Sequence, residues 1–247
     1  MFELFLTFFM PATAMMIPAM ALAIFAIGGK TAGFTYAEML RLLIPLGVLF
    51  GLWYGGVTVA AQSGLLATPL TTGTLPYILL FLLGGSLMFW GYVQIVPLAR
   101  KAIYATDQAL LTALQIPRMA GGIFLIGWSA GLLPWQFAFP AAIGDMIVGL
   151  LAVQATVAVV QNADNADRLI MRTNLLGILD FIIAVGTGVA SSAGMLQLFA
   201  KGQTNIISQY PLVLIPAFLI PIFLGFHLFS LQNLRQSRHL ASAASAQ

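Results

Sequence analysis

The chain has 247 residues, 60% of them hydrophobic and only 7% charged, with a formal net charge of +3 and no cysteine. A soluble domain carries about 25% charged residues because its surface faces water; this composition, with a mean hydropathy of +0.99, fits an integral membrane bundle. It excludes disulfides, thiolate metal sites and a cysteine nucleophile, and a small net charge with its basic residues at helix ends calls for no nucleic-acid partner.

A helix needs about 20 apolar residues to cross the hydrocarbon core of a bilayer. Seven such stretches follow one another, at 5–28, 39–61, 75–99, 119–135, 136–160, 174–193 and 210–233. The chain begins Met1-Phe2-Glu3, acidic where a cleavable signal peptide is basic, so the first stretch reads as a retained span. Its methionines, around Pro11 and Pro18, read as adaptable packing beside two kinks. Gly47, Gly51 and Gly55 recur at every fourth position of the second stretch, and Gly127 and Gly131 do so in the fourth. Such seams let helix backbones approach closely, and packing inside the bundle is expected of both.

The run from Ala109 to Ile116 predicts a short interfacial helix before the fourth span. Pro134 and Pro140, with Trp135 and Phe137 at an interfacial depth, predict a tight helical hairpin at 134–136. Residues 161–172 are polar and loop-like. The seventh stretch holds Pro211, Pro216 and Pro221. A proline inside a helix removes a hydrogen bond and kinks it, and in lipid the freed carbonyl needs a partner or a cavity. Residues 1–236 thus read as one transmembrane domain, and the small polar residues 237–247 as a disordered tail.

Seven spans put Lys30, Arg41, Arg100, Lys101, Arg118, Arg168, Arg172, Arg235 and Arg238 on one side and Lys201 on the other, nine against one of the ten basic residues. The positive-inside rule then predicts an outside N-terminus and a cytoplasmic C-terminus, in a multi-pass protein of the inner (plasma) membrane.

Charge inside the spans is the main pointer to function. An ionised carboxylate at mid-bilayer costs about 2.5–3.5 kcal/mol even on the lenient insertion scale, so it must be paired, protonated or wet. Asp145, in the fifth span, falls near the midplane, and Asp180, in the sixth, a little toward the cytoplasm. His227 matches Asp180 in depth and is expected to pair with it. Gln94 and Gln154 fall in the same half and Arg118 at its edge, as a polar layer in which Arg118 would hold a carboxylate or a lipid headgroup. Two histidines, one of them in the tail, are too few for a catalytic zinc shell of roughly three, and no metal or other cofactor is implied.

One stretch runs from Arg118 through Gly121, Phe124, Gly131, Pro134, Phe137, Ala138 and Pro140 to Gly144-Asp145. Leu176-Gly177-Ile178-Leu179-Asp180 follows, then Tyr210 to Pro216 with Pro221 and His227. Together they resemble a group of uncharacterised bacterial seven-helix integral membrane proteins, over the C-terminal half of the chain. The resemblance brings no activity; it implies that Arg118, Asp145, Asp180 and His227 belong to that group's pattern. The topology is also similar to that of microbial rhodopsins, which need a lysine in the last span, but Lys30, Lys101 and Lys201 all lie outside the spans. Seven-helix hydrolases of the ceramidase type need several intramembrane histidines, and no phosphate loop or HExxH motif is present.

Three functions follow as expectations. The first is a small-solute or proton-coupled carrier using Asp145 and Asp180. The second is a non-catalytic ligand-, lipid- or pigment-binding protein or accessory subunit, with a small molecule or a membrane subunit as partner besides the bilayer. The third is an intramembrane enzyme with either acid as general acid or base, although no nucleophile or metal accompanies them.

Overall fold

The computed structural model of the chain describes residues 2–67 and 77–245. Among these all regular structure is helical: α1 (Phe2–Thr31), α2 (Tyr36–Gln62), α3 (Tyr77–Ile95), α4 (Pro97–Ala105), α5 (Gln108–Ala113), a 3-10 helix (Ile116–Gly122), α6 (Ile123–Ser129), α7 (Trp135–Val160), α8 (Ala166–Ser191), a π-helical turn (Ile215–Leu219) and α9 (Ile220–Ser245). Seven segments are long and apolar enough to cross a membrane: Leu4–Thr31, Tyr36–Gln62, Tyr77–Ile95, Gln108–Ser129, Trp135–Val160, Ala166–Ser191 and Ile215–Ser237.

Local chemistry sets the boundaries. Thr35 and Glu38 start α2 with a reciprocal capping box, the Glu38 carboxylate accepting the Thr35 N–H at 2.8 Å. The third stretch does not run through to residue 99. Pro97 forces Val96 into an extended conformation (φ −82°, ψ 111°), so α3 stops at Ile95 and α4 departs as a separate helix that packs on α1. Residues 75 and 76 of that expected span lie outside the described residues.

The largest correction concerns the fourth span. It was expected at 119–135, behind an interfacial helix at 109–116. The apolar segment instead begins at Gln108, where Asp107 caps α5 by accepting the Ala109 N–H at 2.6 Å, and it ends at Ser129. It is broken into α5, the 3-10 helix and α6, because Pro117 lacks an N–H and Gly121-Gly122 add no helix propensity. Arg118 therefore sits inside the segment rather than before it. The following turn occupies 130–134, earlier than the expected 134–136. Gly131 takes the left-handed region (φ +73°) that ends α6 and directs the chain into α7. Gly131 is thus a turn residue and makes no helix seam with Gly127, which is buried in α6.

α8 starts at Ala166, earlier than the predicted 174. The seventh segment starts at Ile215 rather than 210, which leaves Pro211 in the preceding turn. Pro216 opens the π-helical turn, in which the Ile220 N–H reaches back to the Ile215 carbonyl before Pro221 enters α9. A π turn of this kind absorbs the hydrogen bond that Pro221 cannot donate. The expected disordered tail departs from the structure as well: α9 continues through Ser237 to Ser245.

The segment Ile215–Ser237 is the axis of the bundle, with 72% of its most apolar window buried against 22–44% in the other six. Phe226 and Phe229 of α9 meet Phe89 of α3 at ring distances of 6.2 and 5.5 Å, and Phe25 of α1 closes on Phe226 at 6.2 Å. The outer faces remain apolar, with Leu4, Leu52, Leu80 and Ile182 among the exposed side chains. A continuous surface of that type is unfavourable in water and neutral in lipid. Of the seam expected to pack inside the bundle, a Cβ on Gly47 would meet Leu22 of α1, whereas Gly51 and Gly55 face open space.

Candidate functional site

Arg118 lies at the centre of a polar cluster within this apolar frame, with its side chain 1% exposed. Its Nε donates to Asp145 Oδ1 of α7 at 2.7 Å and its Nη2 donates to Asp180 Oδ2 of α8. Its Nη1 meets His227 Nε2 of α9 at 3.0 Å and the Gly177 carbonyl at a long 3.5 Å. The guanidinium carbon also sits 3.9 Å from the centroid of the Phe181 ring. One cation thus ties the fourth, fifth, sixth and seventh segments together.

A guanidinium has no acceptor, so His227 Nε2 must accept from it. The ring is then neutral with its proton on Nδ1, which donates to Asn174 Oδ1 at 2.8 Å. Asn174 Nδ2 in turn donates to Ser230 Oγ at 2.8 Å, and Gln108 Nε2 donates to the same oxygen at 2.8 Å. The chain of hydrogen bonds therefore runs from the two carboxylates to the first residue of α5.

Three glycines make the cluster possible. A Cβ at Gly121 would overlap Asp145, one at Gly144 would overlap Asp180, and one at Gly177 would overlap the His227 ring. Each lies on a different helical element, so any larger residue would push the segments apart at the level of the charges.

Helix geometry gives the depth. Asp145 is 10 residues into α7 and Asp180 is 11 residues from the end of α8, which at about 1.5 Å per residue puts both roughly 15–17 Å from one end of the bundle. That is near the middle of helices long enough to span a hydrocarbon core of about 30 Å.

Toward that end the cluster opens on a cavity of about 110 Å³. Arg118, Asp145 and Asp180 line it, and the remainder is mainly apolar, from Phe9 and Met10 of α1 to Leu219 and Phe223 of the last segment. Pro216 of the π-helical turn lines it too. On the other side of Arg118 the fourth segment carries Gln108 and Thr112 on one face of α5 and Gln115 in the turn that follows it. Gln108 Oε1, Thr112 Oγ1 and Gln115 Oε1 are buried without a hydrogen-bond partner. Such atoms cost about 1–3 kcal/mol each unless water reaches them.

The structure thus brings together four of the residues singled out from sequence, Arg118, Asp145, Asp180 and His227. The expected Asp180–His227 pair is mediated: both side chains sit on nitrogens of Arg118. The guanidinium is committed to the protein's own groups and does not offer itself to an external carboxylate or headgroup. Gln94 stands apart, donating to Gln232 at 3.1 Å, and Gln154 is exposed on the outside of α7. Asn174, Ser230 and Gln108 were not anticipated. Being neutral, and with Asn174 at the polar edge of its apolar stretch beside Arg172 and Thr173, they raise no hydropathy alarm. Among the described residues, no group of three or more histidine, cysteine or acidic side chains stands together as a metal shell.

Neither a curated protein nor a solved structure matches this chain. Residues 75–235 match the model of a family described as Domain of unknown function (DUF8737), a range that contains Arg118, Asp145, Asp180 and His227 but neither α1 nor α2. With more than half of its length matched, the chain belongs to the DUF8737 family.

Proposed function

We propose that this protein is an integral membrane carrier for a small solute, coupled to protons through Asp145 and Asp180. The observation that carries this reading is the placement of two carboxylates and one guanidinium at mid-depth, on the floor of a cavity. Buried charge is costly in a membrane protein and in general marks a pathway or a binding site. Two further features support it. Three buried oxygens without a hydrogen-bond partner, on Gln108, Thr112 and Gln115, continue from Arg118 in the direction away from the cavity, although the amide nitrogens of both glutamines are bonded, and an irregular, proline-containing turn borders the cavity, as broken helices border transporter sites.

With Arg118 inside the bundle, Lys30, Arg41, Arg100, Lys101, Arg168, Arg172, Arg235 and Arg238 share one end and Lys201 stands at the other, eight against one of the ten basic residues. The positive-inside rule places the eight in the cytoplasm, so the cavity lies in the outer half of a plasma-membrane protein.

Proteoliposomes holding the purified protein and an internal pH dye test the carrier. Small solutes added one at a time should produce a solute-dependent proton flux that Asp145→Asn and Asp180→Asn abolish. Flux that persists unchanged in both variants removes the proposed mechanism. The largely apolar lining of the cavity favours a second reading, a protein that holds a ligand without moving it. In that case the protein retains a ligand through purification, visible by native mass spectrometry, and the flux assay stays silent.

A further inference from the structure

The charged groups that line the cavity are Arg118, Asp145 and Asp180; His227 contacts Arg118 but is not part of the wall. A guanidinium has five N–H groups, and those of Arg118 are directed to Asp145, Asp180, His227 and the Gly177 carbonyl. Little donor capacity is left for an anion. The carboxylates are in the opposite condition. Asp145 uses Oδ1 and Asp180 uses Oδ2 for Arg118, while Asp145 Oδ2 and Asp180 Oδ1 have no hydrogen-bond partner among the described residues. Asp180 is only 7% exposed, and its Oδ1 packs beside Gly144. With both acids ionised, the two carboxylates exceed the guanidinium by one negative charge. In that state the site offers a ligand acceptor oxygens and one net negative charge.

The rest of the wall restricts what can bring the positive charge. Phe124, Phe137, Phe181, Val185 and Phe223 are apolar, and Thr13, Ser192 and Ser208 are the other polar side chains. A hard metal cation asks for about six oxygen ligands, often several of them waters, and a wall this apolar gives such a hydrated shell few partners. The volume of about 110 Å³ is a little below that of an engineered apolar cavity of about 150 Å³ that binds benzene. It therefore suits a body about one ring in size.

We propose that the cavity is a binding site for a small amphipathic organic cation, an ammonium on a single-ring or short alkyl body, whose N–H groups donate to Asp145 and Asp180. This rests on the reading of the cavity as a solute site, but not on solute movement. The test accordingly reads binding rather than flux, and its failure is distinct from failure of the carrier.

Benzylammonium, benzyl alcohol and benzoate share one shape and differ in charge. Isothermal titration of the full-length protein in detergent should show saturable binding of benzylammonium at least about tenfold tighter than benzyl alcohol, the scale of one charge-assisted hydrogen bond, and no binding of benzoate. Asp180→Asn should weaken benzylammonium by a similar factor. Because that variant also disturbs Arg118, Ala184→Phe provides a second reading. Ala184 lines the cavity one turn from Asp180 and has no polar side-chain atom that could bond to the charged groups, and a ring placed there should abolish binding in a protein that elutes and melts as the parent does. Equal binding of the three compounds, tighter binding of benzoate, no binding of any, or full binding by the Ala184→Phe variant overturns the proposal.

Discussion

Arg118→Met is the most informative single substitution. It keeps an unbranched apolar stem but removes the cation from Asp145 Oδ1 and Asp180 Oδ2, the donor from His227 Nε2, and the stack on Phe181. Removing one partner of a buried ion pair costs about 3–5 kcal/mol because the other is left uncompensated. Arg118 compensates two carboxylates, yet the losses do not add, since each acid escapes part of the penalty by taking a proton. The expected loss is about 3–5 kcal/mol in all. The triple variant Arg118→Met, Asp145→Asn, Asp180→Asn removes the charges together with their counter-charge. Neutral replacement of a whole buried ion cluster is tolerated far better than breaking it, so the triple variant should regain at least about 2 kcal/mol over the single one. Equilibrium unfolding in mixed micelles, followed by circular dichroism, measures both. A loss below about 1 kcal/mol for the single variant, or a triple variant no more stable than the single, refutes the idea that Arg118 neutralises the two acids.

Three further outcomes are expected. Gly177→Ala should destabilise by about 1–3 kcal/mol through overlap with His227, whereas Gly51→Ala, which faces open space, should stay within about 0.5 kcal/mol in the same unfolding assay; equal effects would place the cluster elsewhere. Nitrogen-15 spectra of histidine-labelled protein should show His227 neutral, with the proton on Nδ1 and Nε2 bare, because Nε2 faces a group that can only donate; an imidazolium or the opposite tautomer contradicts that geometry. The chain has no cysteine, so single cysteines report topology cleanly. Lys201→Cys should react with an impermeant maleimide on intact cells and Asn165→Cys only after permeabilisation, and the reverse pattern would invert the proposed orientation.

Much of this protein is written in its composition along the chain. The transfer energy of an apolar run is a sum over neighbouring residues, so the existence of seven membrane-length segments follows from residue order alone. The cost of charge in such a run singles out Asp145, Asp180 and His227 by the same arithmetic. Even there, the boundaries of the fourth segment depended on local backbone chemistry. Gln108 to Arg118 mixes polar and apolar residues and reads as an interface, yet the Asp107 cap and the break at Pro117 draw it into the bundle.

What no linear sum contains is the direction each residue faces and which segments are neighbours. Gln154 and Asp145 share α7, but only Asp145 faces Arg118. Gly51 and Gly177 are both small residues in spans, but only Gly177 meets a side chain from another segment. Asn174 and Ser230, unremarkable as neutral residues, become the support of His227 once α8 and α9 lie side by side. The sequence alone therefore determines that charge is buried and roughly how deep. The order and rotation of the helices decide that one arginine answers two aspartates and that both aspartates border a cavity, because a polar contact falls off within a few ångströms and only packing brings residues 27 to 109 positions apart into that range.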